Sequence, residues 1–232
     1  MDTEPAGVIH TQEFTSEISQ LTVEQTGPVR AVVKLQGQHR QAAGQRAWLP
    51  FVVRLYFYAG SEAVRVVHTI IYDGDESRDF IKGLGFRFSV PLTAPLHDRH
   101  IRFVSGEQGV FAEAVRGLTG LRRDPGAAIT DAQVAGKATP DIKEFPAAVA
   151  RNLDYIPAFG DYTLVQPSAD SFTVRKRTRA GFTWLASATG RRAAGLAYVG
   201  SPAGGVAFGI KNFWQSHPTA VVRHNIFHSY DP

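Results

Sequence analysis

The sequence predicts an all-β fold: a large, supersandwich-like antiparallel β-sandwich with one long irregular excursion. Three observations predict it. Short segments of alternating apolar and polar residues dominate the chain, turn residues separate them, and their spacing suits an antiparallel sandwich better than a βαβ repeat. The 232 residues are 44% hydrophobic, enough to bury a core of that size, and they contain no internal repeat or low-complexity tract.

In chain order, Leu21–Glu24 and Val29–Leu35 flank the Thr26-Gly27-Pro28 turn and form a first hairpin. A Gly/Gln-rich connection from Gly37 to Gln45 leads to the longest signal, Trp48 to Asp79. There Phe51, Val53, Leu55 and Phe57 alternate with Val52, Arg54, Tyr56 and Tyr58. After Ala59-Gly60-Ser61-Glu62, the residues Val64, Val66, His68, Ile70 and Tyr72 alternate with Arg65, Val67, Thr69 and Ile71. A turn centred on Gly60-Ser61 sets Leu55 opposite Val66, Tyr56 opposite Arg65 and Arg54 opposite Val67. One face is then apolar and includes His68, read as a core histidine. The other carries Arg54, Tyr56 and Arg65 with Tyr58 beside them.

Gly85–Pro91 alternates cleanly and ends at a proline that cannot donate to a central ladder, and Ile101–Val104 is a further short strand. The stretch from about Glu107 to Gly160 mixes Ala, Gly, Pro and charges, and is read as an excursion with one or two helical turns. Strands return at Tyr162–Val165, Ser171–Arg177, Phe182–Leu185, Gly195–Val199 and Gly205–Trp214. Residues 1–20 read as a boundary segment, 21–220 as the central domain, and 221–232 as the start of a further segment. The chain thus reads as a piece of something longer.

Composition excludes several chemistries. The chain has no cysteine, which removes thiol catalysis, disulfides and cysteine–zinc sites. No apolar run has the length of a membrane span, and the start MDTEPAGV lacks the regions of a signal peptide, so neither membrane nor secretory address is expected from the residues. The formal charge of +4 suits an acidic ligand such as a uronic-acid polysaccharide but lacks the dense basic stripe of a nucleic-acid binder. Nucleotide-binding glycine loops, paired-histidine zinc motifs and nucleophile elbows are all missing.

Three constellations remain. On the hairpin face, arginine can hold a carboxylate through two parallel bonds, while tyrosine can stack on a sugar ring or move a proton. The same face also reads as a solvated sheet surface, or as one that meets a neighbouring domain. The acidic loop Tyr72-Asp73-Gly74-Asp75-Glu76, with Asp79, offers a calcium ion carboxylate oxygens, although acidic turns have local backbone reasons of their own. No metal ligand set and no cofactor is assigned. The segment Lys211-Asn212-Phe213-Trp214-Gln215-Ser216-His217-Pro218, read as strand, joins an aromatic platform, amides, an ammonium and an imidazole, a mixture that suits a sugar. Trp214 as core is the alternative. The Arg175-Lys176-Arg177 triplet alternates sides and reads as a solvated edge.

The runs LPFVVRLYFYAGSEAVRVVHTIIYDGDESRDFIKGLGFRFSVPL, FTVRKRT and GGVAFGIKNFWQSHPTA resemble the central β-sandwich of the exo-acting rhamnogalacturonan lyase (PcRGLX/YetA-like) family of polysaccharide lyases. The likeness extends from about Leu21 to Ala220. The resemblance implies a domain of a longer, extracellular pectin-degrading enzyme, with a small barrel before it and an α/α toroid after it. It also implies β-elimination at a galacturonate residue, which needs a cation at the uronate carboxylate, a base for the C5 proton and an acid for the leaving oxygen. On chemistry alone, Arg54, Arg65 or Lys211 suits the first task, and His217, Tyr56 or Tyr58 the other two. Asn212, Trp214 and Gln215 complete the substrate-binding candidates. The rival reading is a non-catalytic carbohydrate-binding or interdomain scaffold module. A glycoside hydrolase ranks last, because no carboxylate pair stands at a recognisable spacing.

Overall fold

The computed structural model describes residues 10–107, 109–118 and 124–226, and it is mostly antiparallel strand. The chain divides into two compact units, residues 1–86 and 87–232.

The first unit is a four-stranded meander of β1 (Phe14–Gln25), β2 (Arg30–Gln41), β3 (Ala47–Tyr58) and β4 (Val64–Ile70), ordered β1-β2-β3-β4. Residues 14–20, read from the sequence as boundary, are strand and pair with β2. The long hairpin has the register expected from its turn: Arg54 faces Val67, Leu55 faces Val66 and Tyr56 faces Arg65. Gly60 supplies the turn with φ 73, which a side chain would disfavour.

Three irregularities shape this sheet. In β1 the register slips once between Ile18 and Gln20 and again between Val23 and Gln25. In β3 the residues Leu49 and Pro50 oppose the single residue Gln38, and Leu49 takes φ 47. Proline is tolerated there because a bulge asks for no ladder donor. The left-handed leucine is held at both ends. Its N–H donates to Asp73 Oδ1 at 2.7 Å, and its carbonyl oxygen lies 2.7 Å from His39 Nδ1.

The apolar face of the sheet is closed at the bulge end, where Phe51 and Val53 are buried. The Phe51 ring lies where a Cβ on Gly37 would meet it at 2.9 Å. His68 sits on this face among Phe51, His39 and Phe86, and burial lowers its pKa. Along β1 and toward the hairpin turn the same face opens, leaving Ile18, Leu21, Val23, Phe57, Val64 and Val66 exposed.

The second unit is a β-sandwich of two four-stranded sheets. One has the order β11-β10-β5-β6, with β5 (His100–Ser105), β6 (Val110–Ala114), β10 (Ala193–Ser201) and β11 (Gly204–Gly209). The other has the order β12-β7-β8-β9, with β7 (Asp161–Ser168), β8 (Ser171–Arg177), β9 (Leu185–Gly190) and β12 (Val221–Asn225). Alternate residues of both sheets meet in one core that includes Ile101, Phe103, Tyr162, Leu164, Phe172, Val174, Val199 and Val222. Each of the aliphatic and phenylalanine side chains contributes about 1.5–3 kcal/mol by leaving water. The excursion carries α1 (Ala127–Val134) and α2 (Ala147–Asn152) over a small core of their own, formed by Leu118, Ile129, Phe145, Val149, Leu153 and Ile156.

Four expectations are corrected. The excursion contains a strand, β6, paired with β5. Gly85–Pro91 is not strand: Phe86 packs on His68 within the first unit and Phe88 stacks on Phe208 within the second, so its alternation records ring packing. Phe182 closes a turn by donating to the Arg179 carbonyl, and the strand there starts only at Leu185. Finally, β8 lies between β7 and β9, so the Arg175-Lys176-Arg177 triplet is on an interior strand and not at an edge.

Candidate functional site

The polar face of the first sheet brings Arg54, Tyr56, Tyr58 and Arg65 together. Register sets Gln25, Val32, Tyr56 and Arg65 in one row across the four strands, and Lys34, Arg54 and Val67 in the next. Tyr58 lies opposite Arg30. The Arg65 guanidinium carbon is 5.5 Å from the Tyr56 ring centroid and that of Arg30 is 5.9 Å away, so two cations share one ring. Val32 is only 3% exposed although it points to this side. The long stems of its neighbours cover it while their charged heads stay in water.

The charges are not equivalent. The slip in β1 turns both Glu24 and Gln25 toward this face. Glu24 accepts Arg54 Nε at 2.8 Å and Nη2 at 3.1 Å, and also pairs with Lys34 at 3.5 Å. These partners, Arg54 foremost, hold the Glu24 carboxyl below its usual range and raise the Arg54 pKa in return. Gln25 Oε1 fixes Arg30 by two bonds of 3.0 and 2.7 Å. Arg54 is therefore committed to a carboxylate already present, whereas Arg65 is exposed and makes no hydrogen bond or ion pair to the described residues. A shallow depression of about 320 Å³, lined by Gln25, Gly27, Pro28, Val29, Arg30 and Tyr58, adjoins this end of the face. Arg30, Lys34 and Glu24 are members that the sequence reading did not nominate. The alternation Arg30, Val32, Lys34 was the available signal.

The second candidate segment, Lys211 to His217, lies in the second unit and is not a strand. β11 stops at Gly209, Asn212 adopts φ 58, and Trp214–Ser216 form a 3₁₀ turn closed by the Ser216 N–H donating to the Phe213 carbonyl at 3.1 Å. Phe213 anchors the turn in the core at 1% exposure, packed where Gly195 leaves room. Trp214 is half-buried under the Arg192 guanidinium at 4.3 Å, so the expected core residue is its neighbour Phe213. Lys211, Asn212, Gln215 and His217 are exposed. His217 Nδ1 lies 3.1 Å from the Trp214 carbonyl oxygen, which can only accept, so Nδ1 carries the proton and Nε2 is the basic nitrogen. The amide–indole–imidazole group is thus retained, but the two-sided strand display expected for it is lost.

Three carboxylates of the acidic loop, Asp73, Asp75 and Asp79, are already engaged within the protein. Asp73 accepts from Leu49, Asp75 from the Ser77 N–H and hydroxyl, and Asp79 from Asp75 N–H and from both Arg46 terminal nitrogens at 2.8 and 2.6 Å. The Arg46 bond foremost holds the Asp79 carboxyl below its usual range. Among the described residues no group of three His, Asp or Glu side chains is arranged to hold a metal ion.

The first unit groups cations with phenols on one sheet face, and the second groups an imidazole with amides and an indole around one turn. Comparison with known proteins gives the family. The chain is 36% identical over 214 residues to the uncharacterized protein YetA of Bacillus subtilis (strain 168). That match takes in 90% of this chain but spans about a quarter of the relative's length, 24%. The sequence model of the PcRGLX-like protein central beta sandwich domain matches residues 1–227. The chain therefore belongs to the PcRGLX-like family and is its central β-sandwich domain.

Proposed function

We propose that this domain binds an acidic, uronate-containing polysaccharide of the rhamnogalacturonan kind for a longer, extracellular polysaccharide-lyase-like protein that cleaves it by β-elimination. The observation that carries the reading is the Tyr56 ring flanked by Arg30 and Arg65 on an exposed sheet face. A guanidinium pair neutralises a uronate carboxylate, which is what makes the adjacent C5 proton removable. The phenol between the two cations lies within reach of the same sugar, and Tyr58 borders the neighbouring depression. Titration of the chain with a short rhamnogalacturonan oligosaccharide tests the binding. Arg65→Gln and Tyr56→Leu are each expected to weaken it about tenfold. Unchanged affinity in both variants refutes the reading. Ultraviolet absorbance of the unsaturated uronate product tests for cleavage by this chain itself.

One observation favours a second reading, an interdomain scaffold. The opposite face of the same sheet leaves Leu21, Val23, Val64 and Val66 exposed, and contiguous apolar surface on a solitary domain commonly marks an interaction site. Bright fluorescence of a hydrophobic dye with the native chain, abolished by Leu21→Lys and Val66→Lys together, supports it. A dark dye overturns it.

A further inference from the structure

The outer face of the β12-β7-β8-β9 sheet carries a cluster of arginines around one buried aspartate. Tyr162, Leu164, Phe172, Val174 and Val222 point into the sandwich core. The alternate residues Asp161, Thr163, Thr173, Arg175, Arg177 and Arg223 therefore share the opposite face. Register sets Arg223, Thr163 and Arg175 in one row and Asn225, Asp161 and Arg177 in the next.

Asp161 is 2% exposed and is the hub of this face. It accepts Arg177 Nε at 2.6 Å, Arg223 Nε at 2.9 Å and Arg223 Nη2 at 2.7 Å. This one carboxylate orients two guanidinium groups. Arg175 lies beside them, exposed and without a hydrogen bond or ion pair to the described residues. Among the described residues, Arg177 beside Asp161 and the exposed Arg175 thus stand in adjacent rows of one face. Lys176 adds nothing to this face: it turns to the other side of β8, to Glu113 and the Phe159 ring.

Aromatic rings border the cations. Arg177 lies over Trp184 at 4.4 Å and Arg179 over Phe182 at 4.7 Å, and Phe182 is 50% exposed. Fixed between Asp161 and Trp184, Arg177 loses little freedom when a ligand arrives, which favours tight capture of a planar anion.

We propose that this face is a second saccharide subsite, in which Arg175 and Arg177 hold a sugar carboxylate while the Phe182 and Trp184 rings border the pyranose. The subsite rests on the reading of the domain as a binder of acidic polysaccharide, and it extends the contact to a different sheet. The small footprint, with Lys176 turned away, suits a carboxylate on a sugar better than the continuous phosphate track of a nucleic acid.

Nuclear magnetic resonance of the whole chain tests it, because the indole N–H of Trp184 reports on this face alone once assigned with Trp184→Phe. A short oligogalacturonate is expected to shift that signal saturably, and a neutral galactan oligosaccharide to leave it still. Arg175→Glu, at an exposed side chain with no bond to the described residues, is expected to weaken the effect at least about tenfold while the rest of the spectrum is preserved. A silent Trp184 signal overturns the proposal, as does equal affinity in Arg175→Glu. So does an equal shift with sulfate or with short single-stranded DNA. Arg65→Gln separates this proposal from the function reading. Binding that depends on Arg65 with Trp184 silent removes the subsite alone, whereas no binding anywhere removes both.

Discussion

Acid sensitivity of the second unit is expected to be concentrated at His224. The side chain is 4% exposed, its ring is stacked on Phe103 with centroids 5.0 Å apart, and it meets the Phe208 ring edge-on at 5.4 Å. Its Nε2 is buried with no partner among the described residues. Burial lowers the pKa from the ordinary 6.5 to about 4. Between those values the unfolded chain binds a proton that the folded chain refuses, so stability is fully present above about pH 6.5 and is lost as pH falls toward 4. Each pH unit inside that window removes about 1.4 kcal/mol, and acidification from about pH 7 to about pH 4.5 removes about 2.5 kcal/mol. His68, His97 and His100 are also lowered by burial and act with the same sign, so a variant is needed to isolate one ring. His224→Phe keeps an aromatic ring against Phe103 and Phe208 and removes the base. Urea denaturation of both proteins at the two pH values is the assay. The wild-type chain is expected to lose about 2.5 kcal/mol more than the variant on acidification. Parallel losses, within about 0.5 kcal/mol, refute the assignment.

Three further outcomes are expected. Asp161→Asn leaves Arg177 and Arg223 without their shared charge at a site only 2% exposed, and is expected to lower stability by about 3–5 kcal/mol. An unmoved urea midpoint contradicts that. Gly195→Ala puts a Cβ 2.3 Å from the Phe213 Cβ on a backbone with φ 72, and the melting temperature is expected to fall by about 6 °C or more. A drop smaller than about 2 °C shows that the turn can move aside. Glu24→Gln releases Arg54 and Lys34 from their exposed partner. It is expected to raise affinity for a short oligogalacturonate roughly threefold with the melting temperature unchanged, and weaker binding counts against the Tyr56 face.

The local parts of this architecture were legible from residue order. Gly60-Ser61 set the phase of the hairpin, and two-residue alternation then located Tyr56 opposite Arg65 and His68 on the apolar side. Pro50 announced an irregularity in β3, because a proline inside a central strand needs a bulge. What stayed hidden depends on distant partners. Arg54 is neutralised by Glu24, thirty positions away, through a register slip that alternation cannot reveal. Asp161 reaches Arg223 across 62 positions, so a pair of arginines on β8 looked like ordinary surface. Lys211 to Trp214 alternates like a strand, but the left-handed Asn212 and the burial of Phe213 bend it into a turn. Hydrophobic pattern reports which residues seek the core. It does not report whether a ladder delivers them there.

The bulge at Leu49 and Pro50 has a consequence for how freely this sheet can be altered. Asp73 and His39 clamp Leu49 from two directions, so the phase of β3 is pinned at the end farthest from the hairpin turn. A strand anchored there does not depend on residues 59–63 to keep its side chains on the correct faces. That exposed tip is accordingly a place where the polypeptide tolerates insertion, and a peptide tag grafted between Gly60 and Ala63 leaves Tyr56 and Arg65 facing one another.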